Sequence, residues 1–509
     1  MLVFYCPSNL FYMLNPRYSG CKCCRKHLLL GIFILFIQQA WAQHVIKVDA
    51  SHVLNDVTAR PLGINMNYLM DGTYLDPSQV AKTKAALQSM CVRYLRYPGG
   101  EKADNHLWSV APWSASAPVV ARPGVMEWPS GDARFTKKDR RTLKSAVLDF
   151  DEFMELSKSI GAEPILVVAY DGMYKKAATG KESIPTREQL LINAEEWVRY
   201  ANITRKYGVK YWMIGNESYK NCDYNGCATA EQYRDDIIEF SSRMKKIDPG
   251  IKIIANGEDE AWWATVLPLA SNYIDYLGLS NYPAWNYTGG YEYYRTHQPD
   301  FVKVVNTAAK AIGKYAPMED KERIKIMVTE FNAIDWSGSW KNTNDLGHAL
   351  FCFEMLGNHL INPIIESANF WTTRWARNSA LHDVNDALNN YGNLTANGKT
   401  LAIWGNYLLQ KMVNTSSTEA IRTFASIDAG TGKLHVFLIN KDTKPQQVAV
   451  SLLNYMYTFS GKRWEYSGTG PADVFPVWSQ KESFTSNPSP LAFRLPATSI
   501  TILELSATM

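Results

Sequence analysis

Beyond residue 42 the chain has no surplus of either charge, no apolar run long enough for a bilayer, and few cysteines. The formal net charge of +4 is matched by Arg17, Lys22, Arg25 and Lys26, which share residues 1–42 with no acidic side chain, so the remainder is neutral. That leaves no basic excess for a nucleic-acid or membrane-surface partner, and it argues against a highly sulfated one. The apolar run Leu28 to Ile37 is too short to cross a hydrocarbon core as a permanent anchor. It follows the basic stretch Cys21 to His27 and precedes Ala40-Trp41-Ala42, a small-x-small cleavage pattern. Residues 1–42 therefore read as a signal peptide, with a buried core helix as the bland alternative. The expected location is secreted, periplasmic or extracellular, with no stable membrane anchor after cleavage.

Four of the eight cysteines, Cys6, Cys21, Cys23 and Cys24, fall in that segment. Among the others, Cys222 and Cys227 frame the turn dipeptide Asn225-Gly226 and form a disulfide candidate in an oxidising compartment. Two free thiols are the alternative. No second Cys or His pair lies nearby to complete a zinc set, so neither a metal nor a cofactor is expected.

What is present is a large core. With 509 residues, 46% of them hydrophobic, the chain is long enough for two domains. Apolar runs alternate with amphipathic stretches, the pattern of βα units on a parallel sheet. Eight candidate strands are Leu62 to Asn67, Val92 to Tyr97, Glu163 to Ala169, Lys210 to Ile214, Lys252 to Ala255, Tyr276 to Ser280, Ile324 to Val328 and Asn369 to Thr372. Helical stretches between them include Asp149 to Ile160, Thr186 to Tyr207, Thr229 to Ile247, Phe301 to Tyr315 and Asp345 to Ile361. Thr186 with Gln189, and Thr229 with Gln232, have capping-box spacing. After Met412 the pattern becomes short alternating strands, Ile421 to Ile427, Lys433 to Asn440, Gln447 to Leu453 and Thr498 to Leu505, separated by turn residues. The expected architecture is an α/β fold: a (β/α)8 TIM barrel over 60–412 and a C-terminal antiparallel β-sandwich over 413–509, which residues 43–59 join by one strand.

Two glutamates carry the chemistry. Trp212-Met-Ile-Gly-Asn216-Glu217-Ser and Val328-Thr-Glu330-Phe-Asn332 each follow an apolar strand, so both carboxyls are expected at strand C-termini, the reactive face of a parallel barrel. Two positioned carboxyl groups are the minimal machinery for breaking a glycosidic bond. Sixteen Trp suit the same chemistry, because flat apolar rings match the C–H faces of sugars. Several are expected on barrel loops: Trp108, Trp113, Trp128, Trp262, Trp263, Trp285, Trp336, Trp340, Trp371 and Trp375. Trp197, Trp212 and Trp404 lie on strand or helix patterns and read as core.

Asn-Glu after strand four and a second Glu after strand seven resemble the signature of the largest (β/α)8-barrel clan of retaining glycoside hydrolases. Leu95-Arg96-Tyr97-Pro98-Gly99-Gly100 and the spacing of 113 residues between the glutamates are similar to family 51 α-L-arabinofuranosidases and family 79 heparanase and endoglucuronidase enzymes. The resemblance implies Glu330 as nucleophile and Glu217 as acid/base, with a carbohydrate substrate. It further implies Asn216 on the sugar 2-hydroxyl and Tyr282 hydrogen-bonded to the nucleophile, for which a packing aromatic is the plain alternative. Arg96 is expected beside Glu330, keeping it ionised, or else serves as a structural ion pair. Glu217, lacking such a partner, is expected to stay protonated.

Asn67, Trp285, Trp336 and Trp371 complete the candidate substrate contacts. Asn67 stands where family 51 has a Glu, Tyr170-Asp171-Gly172 where it has Asn-Leu-Gly, and Ser280-Asn281-Tyr282 where it favours a His. The catalytic pair is retained while sugar-recognition positions differ. An arabinofuranosidase-like enzyme, an endo-acting heparanase-like or agarase-like glycanase, and a glycan-binding protein without turnover are all carried forward.

Overall fold

The computed structural model describes residues 44–72, 77–108, 119–120, 133–175, 184–220, 226–375, 383–485 and 490–508. The expected signal peptide and the loop tryptophans Trp113 and Trp128 lie outside the described residues, as does Cys222.

Eight parallel strands close into a barrel: β1 Leu62–Asn65, β2 Tyr94–Tyr97, β3 Glu163–Val168, β4 Tyr211–Ile214, β5 Lys252–Asn256, β6 Tyr276–Asn281, β7 Lys325–Phe331 and β8 Ile365–Phe370. Neighbours in the chain are neighbours in the barrel, and β8 closes on β1. The strands are apolar on both faces because one face fills the barrel and the other packs under helices. Alternation sorts the two sets. Tyr94, Ile165, Val167, Tyr211, Met213, Ile254 and Met327 pack together inside. Their neighbours Leu95, Leu166, Trp212, Ile253 and Val328 belong to the larger outer core.

Around the barrel run helices such as Phe150–Ile160, Arg187–Val198, Ala230–Ile247, Glu260–Ala270, Lys303–Tyr315, Leu346–Leu360 and Ala396–Tyr407. Reciprocal capping boxes at Thr186/Gln189 and Thr229/Gln232 satisfy first-turn N–H groups that have no partner within the helix. The stretch expected as one helix to Tyr207 changes to a π turn over Arg199–Thr204. β1 ends two residues short of its expected limit. β8 starts four residues earlier than expected, because Glu366 and Ser367 break its apolar pattern while Glu366 accepts a hydrogen bond from Tyr94.

Apart from a short two-stranded ladder of His106–Leu107 and Val119–Val120, the remaining described strands form one nine-stranded sheet in the order Val477–Thr485, Phe459–Ser467, Ser499–Ala507, Lys433–Asn440, Ile421–Asp428, Lys411–Thr415, His44–Asp56, Gln446–Leu453, Leu491–Leu495. Its pairs are antiparallel except His44–Asp56 with Gln446–Leu453, which is parallel. The sheet encloses its own core of Ile46, Val48, Val436, Leu438, Val448, Val450 and Leu503. Lys411–Thr415 straddles the expected division at Met412. The sheet is anchored to the barrel helices by a stack in which Trp404 lies 4.6 Å from Phe353 and 4.2 Å from Phe437. Buried Glu354 adds polar ties, accepting hydrogen bonds from Tyr294 at 2.7 Å and Arg422 at 2.9 Å.

Candidate active site

Strand alternation alone does not present Glu330 to the barrel mouth. Met327 points inward, so two residues later Thr329 should do so and Glu330 should face out. Between Val328, opposite Leu279, and Glu330, opposite Ser280, β7 advances two residues while β6 advances one. This bulge flips the phase of β7 and turns the Glu330 carboxyl into the cleft, a common use of bulges beside reactive groups.

Arg96 receives it. Two residues beyond inward-facing Tyr94, Arg96 is fully buried and donates to Glu330 Oε1 at 2.9 Å and to Asn65 Oδ1 at 2.7 Å. Its second Nη donates to Asn216 Oδ1 at 2.6 Å, so one guanidinium ties the residue before Glu217 to Glu330. The other Glu330 oxygen accepts from the Tyr282 hydroxyl at 2.7 Å. Burial raises the pKa of that phenol well above its usual value, so it remains a donor. Burial raises the pKa of Glu330; Arg96, placed beside it as the sequence predicts, pulls it down without fully offsetting that, and nearby Glu217 pushes it further up.

Glu217 lies three residues past the end of β4, in a tight turn with its own φ at 49°. A side chain on Gly215 would come within 2.6 Å of Ser218 Oγ and 2.9 Å of the Tyr170 ring, at a φ of 70°, so that position requires glycine. The turn is fixed to β5 on one side and to the 3-10 turn after β3 on the other. The Ser218 N–H donates to Asn256 Oδ1 at 2.8 Å, and its hydroxyl donates to Asp171 Oδ2 at 3.0 Å. Asp171 faces Asp104 in full burial; burial pushes Asp104 up to about 7 and Asp171 well above the carboxylate range.

Contrary to the sequence reading, Glu217 has a cationic partner. Lys220 follows it by one turn, and its ammonium lies 3.0 Å from Glu217 Oε1.

Both glutamates line a cleft of about 360 Å³ with Asn216, Tyr282, Gly100, Glu101, Lys220 and four tryptophans. Trp285 and Trp336 stand exposed at the rim, 63% and 44% accessible, and Trp336 meets the Tyr282 ring edge-on. Trp371 and Trp375 form a second wall, backed by Lys102 over the Trp375 ring at 3.7 Å. A Cβ on Gly100 would fall 2.3 Å from Trp371, which explains the glycine after Pro98-Gly99.

Asn67, expected to contact substrate, is instead buried in the wall. Its amide donates to the carbonyls of Arg374 and Trp375, because those residues cross β1 where its chain end lacks strand partners. Trp262, Trp263 and Trp340 are also buried, and Trp262 donates its indole N–H to Asn256 O at 2.9 Å. Glu101 and Lys220 belong to the cleft but were not anticipated. Their positions, next to Pro-Gly-Gly and three residues after Glu217, were the available signal. Cys227 is disulfide-bonded, while Cys91 and Cys352 are free. Among the described residues no group of His, Cys, Asp or Glu is arranged to hold a metal ion, and no helix is long and apolar enough to cross a membrane.

Residues 86–298 match the family model of the α-L-arabinofuranosidase 1 domain. The chain is 27% identical over 263 residues to an intracellular exo-α-(1→5)-L-arabinofuranosidase of Acetivibrio thermocellus, covering 46% of this chain and 47% of that one. With a probable α-L-arabinofuranosidase C of Aspergillus fumigatus it shares 26% identity over 182 residues, 34% of this chain and 31% of that one. The matched stretch thus spans about half the length of the first of these relatives and about a third of the second. In fold, the α-L-arabinofuranosidase of Thermotoga maritima, solved with arabinose, is similar across 91% of this chain and 100% of its own, with a TM-score of 0.68 at 20% identity. A Paenibacillus polymyxa xyloglucanase of glycoside hydrolase family 44 covers 91% and 99%, with a TM-score of 0.61 at 14% identity. Residues 86–298 are thus similar in sequence to α-L-arabinofuranosidases, and the barrel with its appended sheet shares the fold of these solved structures.

Proposed function

We propose that the protein is a retaining glycoside hydrolase acting on an oligosaccharide or polysaccharide, with arabinofuranosyl linkages as the first substrate class to test. The observation that carries this reading is the seating of Glu330, gripped by Arg96 at 2.9 Å and Tyr282 at 2.7 Å in the cleft that Glu217 also lines. Fixed donors on both oxygens orient the carboxylate for attack on an anomeric carbon. Glu330 forms the bond to that carbon as the glycosidic C–O bond breaks, and Glu217 delivers its proton to the departing oxygen. Glu217, now a carboxylate, then takes a proton from water, whose oxygen displaces Glu330 from the sugar.

Arabinofuranose follows from the names of the sequence relatives. A longer glucan-type chain is the second reading, favoured by the exposed rim rings of Trp285 and Trp336 and by the xyloglucanase-like fold. Export through residues 1–42 is part of the proposal, and it rests on their sequence pattern alone, which differs from relatives named as intracellular.

A panel of aryl glycosides, including α-L-arabinofuranoside, and of arabinan, xylan and xyloglucan tests this. Glu330→Ala is expected to abolish turnover, and Glu217→Ala to slow it about 10²–10⁴-fold on poor leaving groups. Unchanged turnover in either variant contradicts the mechanism. Binding without turnover in the wild type points to a glycan-binding protein instead.

A further inference from the structure

The acid/base of a retaining hydrolase must alternate between two states. It is protonated when the leaving group departs and ionised when water attacks. Whatever stands next to it decides which state comes free.

Here that neighbour is Lys220. The Lys220 N–H donates to the Glu217 carbonyl at 2.9 Å, closing a turn that brings the two side chains together. The ammonium then sits 3.0 Å from Glu217 Oε1 and 5.5 Å from the centre of the Tyr219 ring. Among the described residues lining the cleft, three are carboxyls, Glu101, Glu217 and Glu330, and Lys220 is the sole cation. Arg96 and Lys102 lie behind the wall, engaged with Glu330 and with the tryptophan rings respectively.

We propose that Lys220 is a positioning residue that holds Glu217 toward its carboxylate form. This rests on Glu217 acting as the acid/base. The first step needs a proton on Glu217 against the pull of the ammonium, so poor leaving groups are penalised more than good ones.

Four other titratable groups surround Glu217. Glu330, Glu101, Tyr219 and Tyr282 face Glu217 from β7, the turn after β2, its own turn and the end of β6. Each adds negative charge or none. The cations on this side are Arg96, engaged with Glu330 and Asn216, and Lys220, in contact with Glu217 itself. Burial would lower the pKa of Lys220, but Glu217, Glu258 and Glu330 outweigh that and raise it, so it stays charged through the working range.

The test compares wild type, Lys220→Met and Lys220→Arg over pH with two aryl glycosides of one sugar, phenyl and 2,4-dinitrophenyl. With the phenyl leaving group, Lys220→Met is expected to move the basic limb of kcat/KM up by about one unit, whereas Lys220→Arg keeps it in place. With 2,4-dinitrophenolate, which leaves without a proton, that shift should vanish. A ¹³C titration of the Glu217 carboxyl, assigned with Glu217→Gln, should move up in Lys220→Met as well, and it needs no turnover. An identical basic limb and an identical Glu217 titration in Lys220→Met and wild type overturn the inference. Full activity in Glu217→Ala would instead overturn the mechanism beneath it.

Discussion

Arg96 is the residue on which the site turns, because one buried guanidinium serves Glu330, Asn65 and Asn216 together. Removing it leaves one oxygen of a buried carboxyl, and two side-chain amides, without the donor it supplies. Arg96→Met should therefore cost about 3–5 kcal/mol of folding stability, read by denaturant titration. It should also change the pH profile. In the proposed mechanism Glu330 attacks only when ionised, so activity is expected to fall as pH drops through its pKa. That pKa is already raised by burial, with Arg96 pulling against it. The acidic limb of the wild type should lie above the ordinary carboxylate range, and Arg96→Met should drive it further up while lowering kcat. A stable variant with an unmoved acidic limb would mean that Arg96 is only a structural ion pair.

At the scale of elements, the loops after β2, β3 and β4 are coupled beneath the cleft. Asp104, in the short 3-10 turn after β2, accepts from the backbone N–H groups of Tyr170 and Asp171, and Asp171 accepts from Ser218 beside Glu217. The two facing carboxyls are most stable with a shared proton, since burial disfavours their charge. In the unfolded chain Asp104 would release its proton near 3.8, whereas in the fold it holds on to about 7. The fold therefore binds more protons between those values, and stability declines as pH rises through that window. Asp104→Asn keeps an accepting oxygen and has no proton to lose. Its melting temperature relative to wild type should rise between pH 4 and pH 7, measured by calorimetry; a constant difference would mean the pair is ionised in the fold.

Elements were legible where the sequence pattern is local. Thr186 and Thr229 mark helix starts because a capping box is written within four residues. Strand Val477–Thr485 was not recognised, since it lies at the sheet edge with little buried side chain and so has no clean alternation. The bulge in β7 was equally hidden. It is a property of register against β6, which no single strand's sequence records, yet it aims Glu330.

For the whole molecule, the barrel and the appended sheet were readable from the change in periodicity near residue 412, and the two glutamates from their flanking motifs. The surrounding chemistry was less so. Composition counts tryptophans without orienting them, so Trp285 and Trp336 reach the cleft while Trp262, Trp263 and Trp340 are buried. Asn67 occupies a recognition position in sequence, but its amide is spent on the backbone of the segment after β8. The order of the strands brings Arg96, Glu217, Tyr282 and Glu330 from four places in the chain to one mouth, and that convergence is the basis for assigning Glu330 as nucleophile. The most direct measurement is peptide mass spectrometry after reaction with an activated 2-fluoro glycoside of whichever sugar the panel identifies. A glycosyl adduct on the peptide containing Glu330, absent from Glu330→Gln, is the predicted result. An adduct on any other residue, or turnover with inversion and no adduct, would contradict the account.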